Sequence, residues 1–233
     1  MAIYITGDTH RDFGRIREFC EFAQTTTDEI MIILGDAGIN YYLDETDRNL
    51  KNELSEYPIT FFCVHGNHEE RPFEIDTYEE IEWHGGIAYT EPFYPNSIFA
   101  KDGEIYDFNG KKAMAIGGAY SVDKWYRLRN NMRWFETEQP DDTIMSFVEN
   151  QLDKLNWKID YIFSHTAPLK YEPTDVFLPY INQDIVDKTI EIWLDKIEDR
   201  LDYEHWFLGH YHTDRYESQV SILFNEIEEL SDY

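Results

Sequence analysis

Three short apolar runs open the chain: AIYIT at 2–6, EIMIIL at 29–34 and ITFFCV at 59–64. Each is apolar without alternation and too short for an ordinary helix, the pattern of a strand buried on both faces. Two segments with helical spacing stand between them. FGRIREFCEFA places Phe13, Ile16, Phe19 and Phe22 at helical intervals, and DETDRNLKNELSEY opens on Asp44, a residue type that caps helix N-termini. The order strand, helix, strand, helix, strand predicts parallel strands joined by right-handed crossovers.

The middle third changes period. Gly85-Gly86, Asn109-Gly110 and Gly117-Gly118 punctuate short alternating runs such as EIYDF and KKAMAI, which predict antiparallel hairpins. Helices are expected again at 141–155, behind Pro140-Asp141, and at 184–201, where Ile185, Ile190, Leu194, Ile197 and Leu201 form a stripe suited to a core. Further strands are expected at 160–164, 205–209 and 221–227. The fold class is therefore α/β, with mixed sheets covered by helices. No internal repeat or linker divides the chain, so residues 1–233 are expected to form one domain.

Composition removes several function classes. Twenty Lys and Arg against 47 Asp and Glu leave a net charge of −27, a field that repels phosphate backbones and anionic membranes. Duplex nucleic acid is not an expected partner; a small phosphorylated substrate at a locally positive site is compatible. No apolar stretch approaches the roughly 20 residues of a membrane span. The start, MAIYITGDTH, lacks the basic-then-apolar pattern of a secretion signal, and Cys20 and Cys63 make no disulfide framework. A cytoplasmic location is expected. Oligomeric state is left open.

Candidate chemistry stands immediately after the predicted strands, where α/β sheets collect their ligands. GDTH (7–10), GDAG (35–38) and GNHE (66–69) follow the first three; His165 follows the run at 160–164, and GHYH (209–212) follows the next. Five strand ends thus deliver Asp8, His10, Asp36, Asn67, His68, His165, His210 and His212. Taken singly, a Gly-Asp turn or a lone histidine is ordinary structure. Independent turns give no reason for acid or imidazole at five consecutive strand ends, and the convergence predicts a metal site. The donor set is too nitrogen-rich for calcium and lacks the thiolates of structural zinc, which leaves Mn, Fe, Zn, Co or Ni. Seven ligands, His68 excluded, are too many for one ordinary centre and suit two ions sharing a carboxylate. His65, His84 and His205 stand outside this set.

The ordered set Gly-Asp-x-His, Gly-Asp-x-x-Gly, Gly-Asn-His-Glu, a single His and Gly-His-x-His, over residues 7–212, resembles the calcineurin-like metallophosphoesterase superfamily. That resemblance implies an α/β/β/α four-layer sandwich, with two mixed sheets flanked by helices, and a phosphoric ester hydrolase. It implies that Asp8, His10 and His212 hold the first metal, that Asp36 bridges, and that Asn67, His165 and His210 hold the second. His68 would act in the chemistry, as proton donor to the leaving oxygen or as a stabiliser of transition-state charge, with Glu69 supporting it. Arg11 stands where many relatives have glycine. GDAGIN lacks the Val-Asp-Arg-Gly continuation of the serine/threonine protein phosphatase branch, whereas Gly-His-x-His looks more like the branch of small-molecule phosphatases and phosphodiesterases.

The leading expectation is a phosphomonoesterase. The alternatives are a phosphodiesterase, of cyclic-nucleotide or nuclease type, and a non-enzymatic interaction module on the same fold. For substrate binding, KWYRLRNNMR (124–133) concentrates Lys124, Arg127, Arg129 and Arg133 in a chain poor in cations. Arg127 is the expected phosphate contact, with Lys124 and Arg129 next and Tyr120 as a pocket wall. The competing expectation for this segment is a basic surface loop that pairs with the acidic excess.

Overall fold

A computed structural model describes residues 1–233, apart from the side chain of Asp232. In the first sheet, β1 (Ile3–Thr6), β2 (Ile30–Ile33) and β3 (Thr60–Cys63) run parallel, with α1 (Gly14–Ala23) and α2 (Glu45–Leu54) as crossovers. The antiparallel pair β4 (Glu79–Trp83) and β5 (Gly86–Thr90) leads into β6 (Ser97–Ala100), which lies parallel to β3. In the second sheet, β7 (Ile105–Phe108) and β8 (Lys111–Ile116) form a hairpin, and β8 then pairs in parallel with β9 (Tyr161–Ser164). β10 (His205–Leu208) lies parallel to β9 and to β12 (Val220–Ile222), and β11 (Arg215–Glu217) closes the edge. The last strand, β13 (Ile227–Glu229), returns to the first sheet antiparallel to β1. The orders are β13-β1-β2-β3-β6-β5-β4 and β11-β12-β10-β9-β8-β7.

Strand alternation sorts the core into layers. Ile30 and Ile32 of β2 share the inter-sheet core with Phe62, Tyr106, Phe163 and Phe207. Met31 and Ile33, one residue out of phase, pack instead with Ile16 and Cys20 of α1 and Leu50 and Leu54 of α2. On the other side, Ile162 and Trp206 meet Val148 and Leu152 of α4 (Asp142–Lys154) and Ile190 and Leu194 of α5 (Thr189–Glu198). The result is an α/β/β/α sandwich of two mixed sheets. Asp44 and Asp141 cap α2 and α4 by accepting the backbone N–H of Thr46 and of Ile144, each at 2.8 Å. Among the described residues no helix is long and apolar enough to cross a membrane.

Four local expectations are corrected. Phe22 is 89% exposed while Phe13 and Ile16 are buried. Steps of three residues lag the helical repeat, and over nine residues the lag puts Phe22 about 180° from Phe13. The helix expected from 184 begins at Thr189, and Ile185 lies exposed in a separate 3₁₀ turn, Gln183–Ile185. Asp187 sets this start by accepting the backbone N–H of Thr189 at 2.9 Å. The run at 221–227 divides between the two sheets, because the Asp214 carboxylate gathers the N–H groups of Phe224, Asn225 and Glu226 and turns the chain. Gly117-Gly118 closes no hairpin; it carries the chain off the end of β8 toward α3 (Lys124–Arg129), a helix the sequence pattern does not announce.

The phase of α1 yields a stability test. Ile16→Ala should cost about 2–5 kcal/mol in urea unfolding, as buried aliphatic truncations do. Phe22→Ser should stay within about 0.5 kcal/mol of wild type. Equal costs for the two would contradict this placement of the helix.

Candidate metal centre

All five motifs converge at the carboxyl ends of β1, β2, β3, β9 and β10. These are adjacent parallel strands in each sheet. Asp8 Oδ2 lies 3.3 Å from His212 Nε2 and 3.6 Å from His10 Nε2, and these two imidazole nitrogens stand 2.8 Å apart. Asp36 Oδ2 faces His165 Nε2 at 3.8 Å, His10 Nδ1 at 3.9 Å and His68 Nε2 at 4.0 Å. The rings of His165 and His210 are 4.9 Å apart. Two overlapping donor groups result, Asp8 with His10 and His212, and Asp8 with Asp36 and His165; within each, the donor atoms lie within 4.8 Å of one another.

Hydrogen bonding leaves this cluster short of positive charge. Each buried carboxylate accepts a backbone N–H from another strand end on Oδ1: Asp8 from His210 at 2.9 Å, Asp36 from His68 at 2.8 Å. Asp8 Oδ2 is buried with no hydrogen-bond partner. His165 Nδ1 donates to the Leu34 carbonyl at 2.8 Å, so the neutral ring carries its lone pair on Nε2. That lone pair meets Asn67 Oδ1 at 2.8 Å, and the Asn67 amide is oriented by donating Nδ2 to Ser121 Oγ at 2.9 Å. Two acceptors facing each other at this distance require a proton or a cation. An orphaned carboxylate oxygen, opposed acceptors and an imidazole-rich donor set together fit divalent transition-metal ions.

The electrostatics follow from crowding. Burial pushes the Asp36 carboxyl up, but His68, His165 and His10 together hold it below the usual carboxylate range. Burial works the same way on Asp8, outweighed by the facing imidazole of His212 and by His165. Burial carries the His210 imidazole down to about 3, and lowers His68 against the pull of Asp36. Glu69 is pushed up to about 8 by burial and by the nearby negative charge of Asp36.

The backbone is strained at the same place. His10, Asp36, His210 and His212 all have left-handed φ angles, 45°, 47°, 67° and 50°. Such conformations persist where surrounding structure over-determines them. Gly66 shows how tightly: a Cβ there would lie 2.0 Å from Asp36 Oδ1 and 2.1 Å from its backbone nitrogen. Arg11, also left-handed at 72°, turns its guanidinium away from the cluster. It donates to the Gly38 carbonyl and pairs with Asp47, both at 2.6 Å, tying the first two motif loops to the start of α2.

Other residues take roles the sequence did not assign. Glu69 accepts the N–H groups of Gly38 and Gly66 at 3.1 and 3.4 Å, so it braces two loops rather than His68. Ser121 orients Asn67; it lies beyond the end of β8, a sixth strand end, and the rule that located the other five applies to it. Outside the cluster, His84 bonds the Asp107 carbonyl, His205 bonds Ser221, and His65 is buried. In the basic segment, Arg127 places Nη2 3.5 Å from His68 Nε2 while its Nε pairs with Asp123 at 2.8 Å. A cavity of about 840 Å³ opens from Asp36, Asn67, His68 and His210, with Tyr120 in its wall. None of Lys124, Arg127 and Arg129 is among the described residues that line it; the Lys124 ammonium sits over the Trp134 ring, 3.8 Å from its centroid, and Arg129 is exposed.

A family model for calcineurin-like phosphoesterases matches residues 1–214. The chain belongs to this family. As a calcineurin-like phosphoesterase it is a metal-dependent hydrolase of phosphoric esters. Among solved structures, one is 13% identical, with 100% of this chain and 97% of the other covered at a TM-score of 0.51, a likeness of fold. A phosphopantetheinyl hydrolase from Mycobacterium tuberculosis is also 13% identical, covering 96% of this chain and 88% of its own, at a TM-score of 0.43. No curated protein matches the chain.

Metal binding to this phosphoesterase should appear as stabilisation. Manganese at about 100 times its dissociation constant adds about 2.7 kcal/mol, which for a domain of this size raises Tm by roughly 5–10 °C. Gly66→Ala should keep the far-UV circular dichroism spectrum and lose most of that rise, because the new methyl displaces Asp36. An undiminished shift in the variant would show that the ion binds elsewhere.

Proposed function

We propose that this phosphoesterase hydrolyses phosphomonoesters at a dinuclear centre. In this reading Asp8, His10 and His212 hold one ion, Asn67, His165 and His210 hold the other, and Asp36 lies between them. The ions are drawn from Mn, Fe, Zn, Co and Ni, and the enzyme acts as one cytoplasmic domain. The observation that carries the reading is the orphaned Asp8 Oδ2 beside the opposed acceptors of Asn67 and His165. When bound, such ions supply Lewis acidity toward the phosphoryl oxygens and activate the attacking water.

The chain's own residues do the rest. His68 faces the cavity with Nε2, within 4.0 Å of Asp36 Oδ2. As the bond from phosphorus to the leaving oxygen breaks, the electron pair stays on that oxygen, and His68 in its imidazolium form would give it the Nε2 proton and return to the neutral ring. Arg127, adjacent to His68, has Nε on Asp123 and Nη1 on Tyr41 and Arg133, and would offer Nη2 to a phosphoryl oxygen. A monoester carries one more ionisable oxygen than a diester, and a guanidinium beside the reacting group favours that extra charge. Tyr120 forms part of the wall, whereas Lys124 and Arg129 lie outside the lining and have no role in this reading.

Turnover of p-nitrophenyl phosphate and of bis-p-nitrophenyl phosphate, after reconstitution with each metal, decides between monoester and diester. A higher kcat/KM for the monoester is expected; faster diester cleavage with every metal would reverse the assignment. His68→Asn should retain metal yet lower kcat by ~10²–10⁴-fold for an alkyl phosphate, and by less for p-nitrophenyl phosphate, whose leaving group needs little protonation. Arg127→Ala should raise KM for monoesters roughly tenfold, the scale of one lost charged hydrogen bond. An unchanged KM would remove Arg127 from the site.

A further inference from the structure

The cavity is far larger than a phosphate group needs. At about 840 Å³ it lies in the range, about 300–1,000 Å³, that encloses whole small molecules. Beyond the histidines its lining becomes apolar and aromatic, with Tyr120, Tyr126, Phe177, Leu178 and Ile181. Tyr211, the residue between His210 and His212, lines it as well, and its ring stacks on Phe177 with centroids 6.1 Å apart and planes 18° apart. A flat, apolar body fits between such walls.

Two lining carboxylates keep a buried oxygen without a hydrogen-bond partner, Asp123 Oδ1 and Glu191 Oε2; Asp123 is already paired with Arg127, which leaves Glu191 as the one to examine. Glu191 is 3% exposed and lines the cavity. Its Oε1 accepts from Thr166 Oγ1 at 3.0 Å, and Thr166 in turn lies 3.0 Å from the Tyr211 hydroxyl. With Thr166 donating to Oε1, Tyr211 is the donor in that second bond, so neither hydroxyl has a hydrogen left for Glu191 Oε2. Oε2 is buried without a partner. Lys188 is the nearby cation, and it is taken by Glu172 at 2.5 Å. Glu191 therefore has no ammonium of its own, and a buried acceptor without a donor is costly.

We infer that the substrate is a phosphomonoester whose organic group is flat and apolar and carries an amine, with the ammonium donating to Glu191 Oε2. This rests on the phosphomonoesterase reading for the phosphate end, and on the cavity alone for the organic end. Glu191 would be a specificity residue, linked through Thr166 and Tyr211 to the strand end that supplies His210 and His212. Burial pushes the Glu191 carboxyl up to about 7, as expected of an acid with no cation on its free oxygen.

Binding of two phenols separates the parts. Tyramine and 4-ethylphenol present the same ring, with and without the ammonium, and calorimetry on the full chain measures both without any turnover. Wild type should bind tyramine at least tenfold more tightly than 4-ethylphenol. Glu191→Gln, which keeps the Thr166 bond and removes the charge, should bring the two within about threefold. Equal affinities in wild type, no binding of either phenol, or a preference that survives Glu191→Gln would each overturn the inference. Hydrolysis of p-nitrophenyl phosphate by the same preparation tests the phosphomonoesterase reading separately. Selective tyramine binding without that hydrolysis would leave the pocket assignment standing and remove the reaction.

Discussion

Two buried carboxylates, Asp8 and Asp36, lie with oxygens inside a 4.8 Å group, and the rest of the site is arranged around that fact. Like charges at such a distance in a low-dielectric interior repel strongly. The backbone N–H groups of His210 and His68 answer one oxygen on each acid and leave the other turned inward. Glu69, a third buried acid close by, responds to the negative charge of Asp36 by holding its proton more tightly. Imidazoles surround the inward oxygens but bring lone pairs as well as protons. Cations between these donors resolve the conflict, and they are what a phosphoesterase of this family uses.

The sandwich makes the crowding possible. Parallel strands send their carboxyl ends to one edge, so β1, β2 and β3 present acids and an amide while β9 and β10 present imidazoles. The inter-sheet core, with Ile32, Phe62, Phe163 and Phe207 all fully buried, fixes the register of both sheets and leaves no slack. Left-handed backbone at His10, Asp36, His210 and His212 is held by this framework rather than by local preference. Gly66 admits the close approach of the third loop to Asp36.

What was legible in the sequence is what local order decides. A short apolar run followed by Gly-Asp, Gly-Asn-His, a single His or Gly-His states both a strand and the chemistry at its end, and five such strand ends located the centre. The four-layer sandwich followed from the resemblance those motifs carry. What was not legible depends on partners distant in the chain. Phe22 reads as core because apolar spacing was counted without helical phase. The run at 221–227 reads as one strand because nothing within it reports that Asp214 will bend it. Arg127 and Lys124 look equivalent in a basic segment, yet the turn of α3 sends one toward His68 and the other onto Trp134. Glu191 looks like one acid among 47, and only its burial against Thr166 shows an oxygen without a donor.

The account stands or falls on cations between the two carboxylates. Crystals of the manganese-loaded protein, measured at the metal absorption edge, report this without reference to any substrate. Two anomalous peaks about 3.5–4 Å apart are predicted, one against Asp8, His10 and His212, the other against Asn67, His165 and His210, with Asp36 touching both. A single peak, or two that leave Asp36 uncoordinated, would contradict it.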